Sequence, residues 1–154
     1  MASDDSGKRN KPATMMSAVV EDVLVCVHTG AAPFDHEWDA HVGAASALCE
    51  RRGEARFNSL VVTEGGGPNA RQRAALVKAL AGKNTQLSIV SDALLVRGIV
   101  TAMSWFVAGQ RMFPVGQFSS ACDHLGLHAG RAALCEREVN RMRRELGLAL
   151  LRTG

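Results

Sequence analysis

Tyrosine is absent from this 154-residue chain, and all aromatic residues together make up 5% of it. A core with so few rings has to be built from Ala, Val, Leu and Met. Long apolar runs are missing too. The stretch from Ala13 to Val27 is the nearest approach, and Glu21 and Asp22 interrupt it. A membrane span needs about 18 consecutive apolar residues, so no membrane span is expected. No apolar signal region follows the basic residues of the first segment, so no secretory leader is expected. Cys26, Cys49, Cys122 and Cys135 form no C-x-x-C pair. Nothing in their spacing makes a disulfide framework, and a reducing cytoplasmic location is expected. Charge of one sign is lacking as well, because the net value is only +3. Phosphate backbones need basic residues gathered on one face, so nucleic acid is not an expected partner. The one basic cluster, Arg137, Arg141, Arg143 and Arg144, is mixed with Glu136, Glu138 and Glu145 and reads as a solvated helix face.

Catalytic patterns are equally scarce. There is no G-x-S-x-G elbow, no G-x-G-x-x-G and no phosphate loop ending in Lys-Ser/Thr. Glu37 and Asp39 sit at an exposed helix start, where solvation explains them. His124 and His128 are four apart near Cys122 and Asp123, but Gly126 interrupts them and no second ligand pair exists, so no metal is expected. His36 and His41 point to different faces of their helix, and His28 closes a strand as a structural residue. The chain is therefore expected not to be an enzyme and to carry no cofactor.

What is present is an ordinary globular balance, 47% hydrophobic and 21% charged, in a length that suits one domain. Residues 1–16 are polar, of both charges, with Gly and Pro, and are expected to form a disordered tail. Ser17–Glu21 and Asp22–Thr29 are β-prone and adjoin at a tight Glu21-Asp22 turn. The second run is apolar throughout, as in a strand covered on both faces. A helix from about Phe34 to Arg52 follows, with Pro33 and acidic residues at its start and Gly53 at its stop. Its stripe is Phe34, Trp38, Val42, Ala45 and Leu48.

Phe57–Thr63 is the next strand, then a glycine-rich loop, then a helix from about Ala70 to Ala81 with Leu76, Val77 and Leu80 inward. Gln86–Ser91 is a strand, and Asp92 is set to cap a helix running to Ala108. Arg111–Val115 is a strand whose Pro114 points to a sheet edge. A short helix starts at Ser119 or Ser120 and ends near Gly126. A longer one runs from about Gly130 to Leu151, with the stripe Leu134, Val139, Met142, Leu146 and Leu150. Alternating strands and helices predict an α/β fold with a mixed, mostly parallel sheet of four or five strands and packing helices. The domain is expected over residues 17–127. Residues 128–154 form an extra C-terminal helix, either packed on the domain or pairing two copies as a homodimer.

The most informative segment is Thr63–Arg73, TEGGGPNARQR. It joins the C-terminal end of a strand to a helix N-terminus, the edge where open α/β sheets place ligands. Free N–H groups there favour anions, the glycines allow close approach, and Arg71 and Arg73 add charge. The binding candidates are Glu64, Gly65, Gly66, Gly67, Asn69, Arg71 and Arg73, with Ser91 and Asp92 from the next strand end. The readings are a strained turn, a phosphate or nucleotide site, and a protein-docking loop.

The order of elements resembles the STAS domains, the fold of the anti-sigma-factor antagonists. The opening Asp22-Val-Leu-Val-Cys-Val-His-Thr-Gly30 before an acidic helix start carries the resemblance, as does the apolar strand Leu60-Val-Val62. The closing Arg111-Met-Phe-Pro-Val115 and Phe118-Ser-Ser-Ala-Cys-Asp-His-Leu-Gly126 resemble the related STAS-like, SEC14-like group. The likeness covers about Ser17 to Leu127. It implies a non-enzymatic bacterial regulatory module whose protein partner is a regulatory kinase or a component of a sigma-factor system. It also implies a phosphorylated Ser or Thr in the loop before the second helix. Glu64-Gly-Gly-Gly-Pro-Asn69 has no hydroxyl, so the sequence departs from the family at that point. Related folds hold small ligands, so a nucleotide or lipid binder is the alternative.

Overall fold

The computed structural model describes residues 11–93 and 109–152. The helix expected from Asp92 to Ala108 therefore lies almost wholly outside the described residues, as does the first part of the expected tail. Five strands form one sheet: β1 (Met15–Val20), β2 (Val23–His28), β3 (Phe57–Thr63), β4 (Thr85–Val90) and β5 (Gln110–Phe113). They lie side by side in chain order. β1 is antiparallel to β2, and β2, β3, β4 and β5 are mutually parallel. The fold is thus α/β with a mixed sheet.

The opening hairpin turns at Glu21-Asp22, with Val20 opposite Val23. Glu21 takes a positive φ of 57°, the conformation that a two-residue hairpin turn requires. Asp22 is held from two sides, by Arg52 at 2.5 Å and by Arg131. The sheet starts earlier than Ser17, because Met15 and Met16 already pair with His28 and Val27. Thr14 is buried as well, and its N–H and hydroxyl donate to Glu37 at 2.8 and 2.5 Å. Residues 14–16 are therefore sheet edge, and Glu37 is their anchor rather than a merely solvated carboxylate.

The period of two along β2 divides its side chains between two cores. Leu24 and Cys26 face helices α1 (Asp35–Arg52) and α2 (Ala70–Leu80), with Trp38, Leu48, Phe57 and Leu76 in the same cluster. Val23, Val25 and Val27 face the other side, with Leu60, Val62, Val139 and Met142. That side is covered by α3 (Phe118–His124) and α4 (Ala129–Glu145). Both connections from β2 to β4 thus cross the same face while the strands advance in one direction, which is a single winding hand. β5 is an edge strand, and Pro114 follows it rather than interrupting it.

The last helix buries Val139 and Met142 of the expected stripe but differs from expectation at Leu134 and in length. It buries Cys135, Val139, Met142 and Arg143, while Leu134 is exposed. It stops at Glu145, because Gly147 at φ 75° reverses the chain. The following residues fold back: Leu148 N–H donates to Arg143 O, and Leu151 N–H to Asn140 Oδ1. Leu146, Leu148 and Leu151 pack on the core. Most of the apolar face of this helix is covered by this chain's own sheet, while Leu134 and Leu150 stay exposed. No helix among the described residues is long and apolar enough to cross a membrane.

Candidate functional site

The C-terminal ends of the parallel strands bring three segments together: the β2–α1 turn, the glycine loop after β3, and Ser91-Asp92 after β4. The glycine loop is pinned from below. Thr63 Oγ1 donates to Gly66 O at 2.6 Å and accepts from Gly65 N–H at 3.0 Å. Gly66 N–H donates to Thr29 O at 2.9 Å, and Glu64 N–H to His28 O. A Cβ on Gly66 would lie 2.3 Å from Ala31 O and 2.4 Å from Thr29 O. This glycine is required by close backbone approach, and Gly65 by its φ of 124°.

The helix start is likewise occupied. Asn69 caps α2 by accepting from Gln72 N–H, and Gln72 Oε1 accepts from Asn69 N–H, both at 2.9 Å. This reciprocal box uses groups that an anion would need. Gln72 also donates to Pro33 O and to Asp35. Arg71 pairs with Asp35 at 2.6 Å, and Arg73 donates to Pro68 O at 3.1 Å. The hydrogen bonds from Arg71 and Gln72 hold the Asp35 carboxyl below the ordinary carboxylate range. Each of the two loop arginines thus has one partner within the chain, and the Arg71 side chain is still 77% exposed. Ser91 is buried, with its hydroxyl accepting from Ala93 N–H, and Asp92 accepts from Val115 N–H. Both brace the sheet edge.

Glu64 reaches the opposite side of the molecule. It pairs at 2.5 Å with Arg143, whose side chain is only 6% exposed. Arg143 also donates to Ala149 O at 2.6 Å. The guanidinium expected on a solvated face is instead wrapped by the returning C-terminal segment and joined to the glycine loop. Arg141 keeps the expected surface role, pairing with Glu138 and Glu145.

Beneath the loop lies a cavity of about 60 Å³ between the sheet and helices α1 and α2. Gly66, Gly67 and Pro68 form part of its wall, and His28 and His41 supply polar atoms. His41 Nδ1 lies 2.7 Å from Ser17 Oγ. His28 Nδ1 is buried and has no hydrogen-bond partner. Burial pushes the His28 pKa down to about 4 and that of His41 to about 3, the neighbouring His28 adding to the latter. Both rings are neutral at neutral pH.

Sequence reasoning missed His28, His41, Gln72 and Arg143. Each lies in phase with a buried stripe: His28 with Leu24 and Cys26, His41 with Trp38 and Ala45, Gln72 with Leu76, and Arg143 with Val139. The spacing Asn69-x-x-Gln72 is itself a capping-box signal. His124 is used structurally, with Nε2 at 2.9 Å from Gly109 O and Nδ1 near Gln86. Among the described residues no three His, Cys, Asp or Glu side chains group as a metal site. All four cysteines are free and buried, and burial pushes the Cys26 and Cys122 thiols up to about 12, so neither is a ready nucleophile. No family model, no curated protein and no solved structure matches this chain.

Proposed function

We propose that this chain is a non-catalytic, STAS-like interaction module that docks a protein partner on the edge formed by the Glu64–Arg73 loop and the adjoining β2–α1 turn. The observation that supports this reading is the internal satisfaction of the loop. Gly65 and Gly66, the cap and both arginines make contacts within the chain itself, so the loop is a preformed surface rather than an open cradle. Preformed surfaces suit rigid docking, in which the interface backbone moves little. The exposed residues at this edge are Gly30, Ala31, Ala32, Asp35, His36, Glu64, Asn69, Ala70 and Arg71. They combine small residues with charges of both signs, a composition that fits the rim of a protein interface. The hairpin followed by βα units in chain order supports the STAS-like assignment.

Thr63 bears on the phosphorylation switch that such a module would use. It is 5% exposed and its hydroxyl is committed within the loop. Docking here therefore operates without a phospho-acceptor in the loop, and the partner, a regulatory kinase or sigma-system component, reads a constant surface.

Photo-crosslinking tests this. A photoreactive residue at Ala70 should capture a discrete protein partner in cells, and one at exposed Arg137 on α4 should not. Adding Arg71→Glu should abolish the Ala70 product with the fold intact, because Arg71 is 77% exposed. Equal capture at both positions, or none at Ala70, overturns the reading.

A further inference from the structure

The cavity beneath the glycine loop shares Gly66, Gly67 and Pro68 with the docking loop, but the rest of its wall has a distinct chemistry. Leu76 and Leu80 of α2, Leu87 and Ile89 of β4 and Trp38 of α1 make it apolar. No Lys, Arg, Asp or Glu lines it among the described residues. The polar groups of the wall are almost all engaged. Ser59 donates to Leu24 O, Thr63 is tied to the glycine loop, and His41 meets Ser17. Trp38 donates its indole N–H to Gln72 O at 2.7 Å. His28 is the exception: it is 3% exposed, lines the cavity, and leaves Nδ1 without a partner. A buried polar atom without a partner is costly and uncommon.

We infer that this cavity binds a small uncharged molecule with a short apolar body and one hydroxyl group, the hydroxyl pairing with His28. The lack of charged side chains in the wall among the described residues points to the class. A nucleotide phosphate or a carboxylate would be desolvated here with no cation opposite it. A hydroxyl both donates and accepts, so it suits either tautomer of a neutral imidazole. About 60 Å³ has room for roughly four water-sized spheres, which limits the enclosed part of the ligand to a short alkyl segment.

Butan-1-ol and 1-chlorobutane are matched probes, with the same carbon chain and with chlorine in place of the hydroxyl. Both should shift the NMR signals of the His28 ring and the Trp38 indole in a saturable way, while ATP should not. His28→Phe keeps an aromatic ring and removes the polar atom. It should weaken butan-1-ol about three- to tenfold more than 1-chlorobutane, the range expected for one hydrogen bond. Leu76→Phe narrows the cavity from the α2 side and should weaken both probes, which keeps the test decisive if His28→Phe does not fold. Unchanged His28 and Trp38 signals at high probe concentration would mean that the cavity holds ordered water only, and would overturn the inference. Equal loss of both probes in His28→Phe would overturn the role of the hydroxyl. Neither outcome affects crosslinking at Ala70.

Discussion

A buried histidine behaves differently from a surface one, and two of them sit against the same cavity. His28 and His41 have folded-state pKa values of about 4 and about 3 against an ordinary 6.5. The unfolded chain therefore binds protons that the folded chain refuses. Stability from these residues is present above pH 6.5 and is lost as pH falls towards 4. From pH 7.5 to 5.5 the loss should be about 1.4 kcal/mol for each ring. Urea titrations at the two pH values measure it, and His41→Phe should remove about half of the difference. Individual residues were also where the sequence misled most. Arg143 reads as one cation in a solvated row, because its neighbours Arg141 and Arg144 are surface residues. Its burial depends on a chain reversal at Gly147 and on a carboxylate 79 positions earlier, at Glu64. No local window contains both.

Secondary elements were far more legible than their side-chain partners. The hairpin, the three strands after it and helices α1 and α2 follow from periodicity, caps and glycines, all of which act within a few residues. In the last helix the expected Val139 and Met142 are buried, but Leu134 looked like a core residue and Cys135 fills that place. Leucine and cysteine are both apolar, and only the sheet beneath them decides which faces inward. The glycine loop was legible as a turn requiring glycine, but not as a loop sewn to the β2–α1 segment, since that contact joins distant parts of the chain. The seam makes a definite prediction. Gly66→Ala forces a methyl group against the carbonyls of Thr29 and Ala31, which are backbone atoms. It should cost roughly 1–3 kcal/mol, the range for overpacking. Gly43 lies inside α1 with nothing near its missing Cβ, so Gly43→Ala should stabilise by about 0.5–1 kcal/mol. Thermal melts of the two variants should move in opposite directions.

At the scale of the molecule, a long-range closure joins the late part of the chain to its first strands. β1 to β5 each pair with the strand next in sequence, whereas α4 returns from the end of the chain to pack on β1 and β2. Arg131 fastens that return to Glu21 and Asp22 in the first turn. Bringing such distant segments together costs more loop entropy than any single strand addition. Val139→Ala, at the fully buried centre of α4, should therefore speed unfolding while leaving the folding rate nearly unchanged. Leu60→Ala in the central strand β3 should slow folding instead. Stopped-flow chevrons distinguish the two. The order of the strands has a further consequence during synthesis. Each strand that leaves the ribosome meets the edge formed by the strand before it, so the sheet can grow from one side in the order of translation. Assembly then needs no segment to wait for a distant mate until α4 emerges and closes over the oldest part of the sheet.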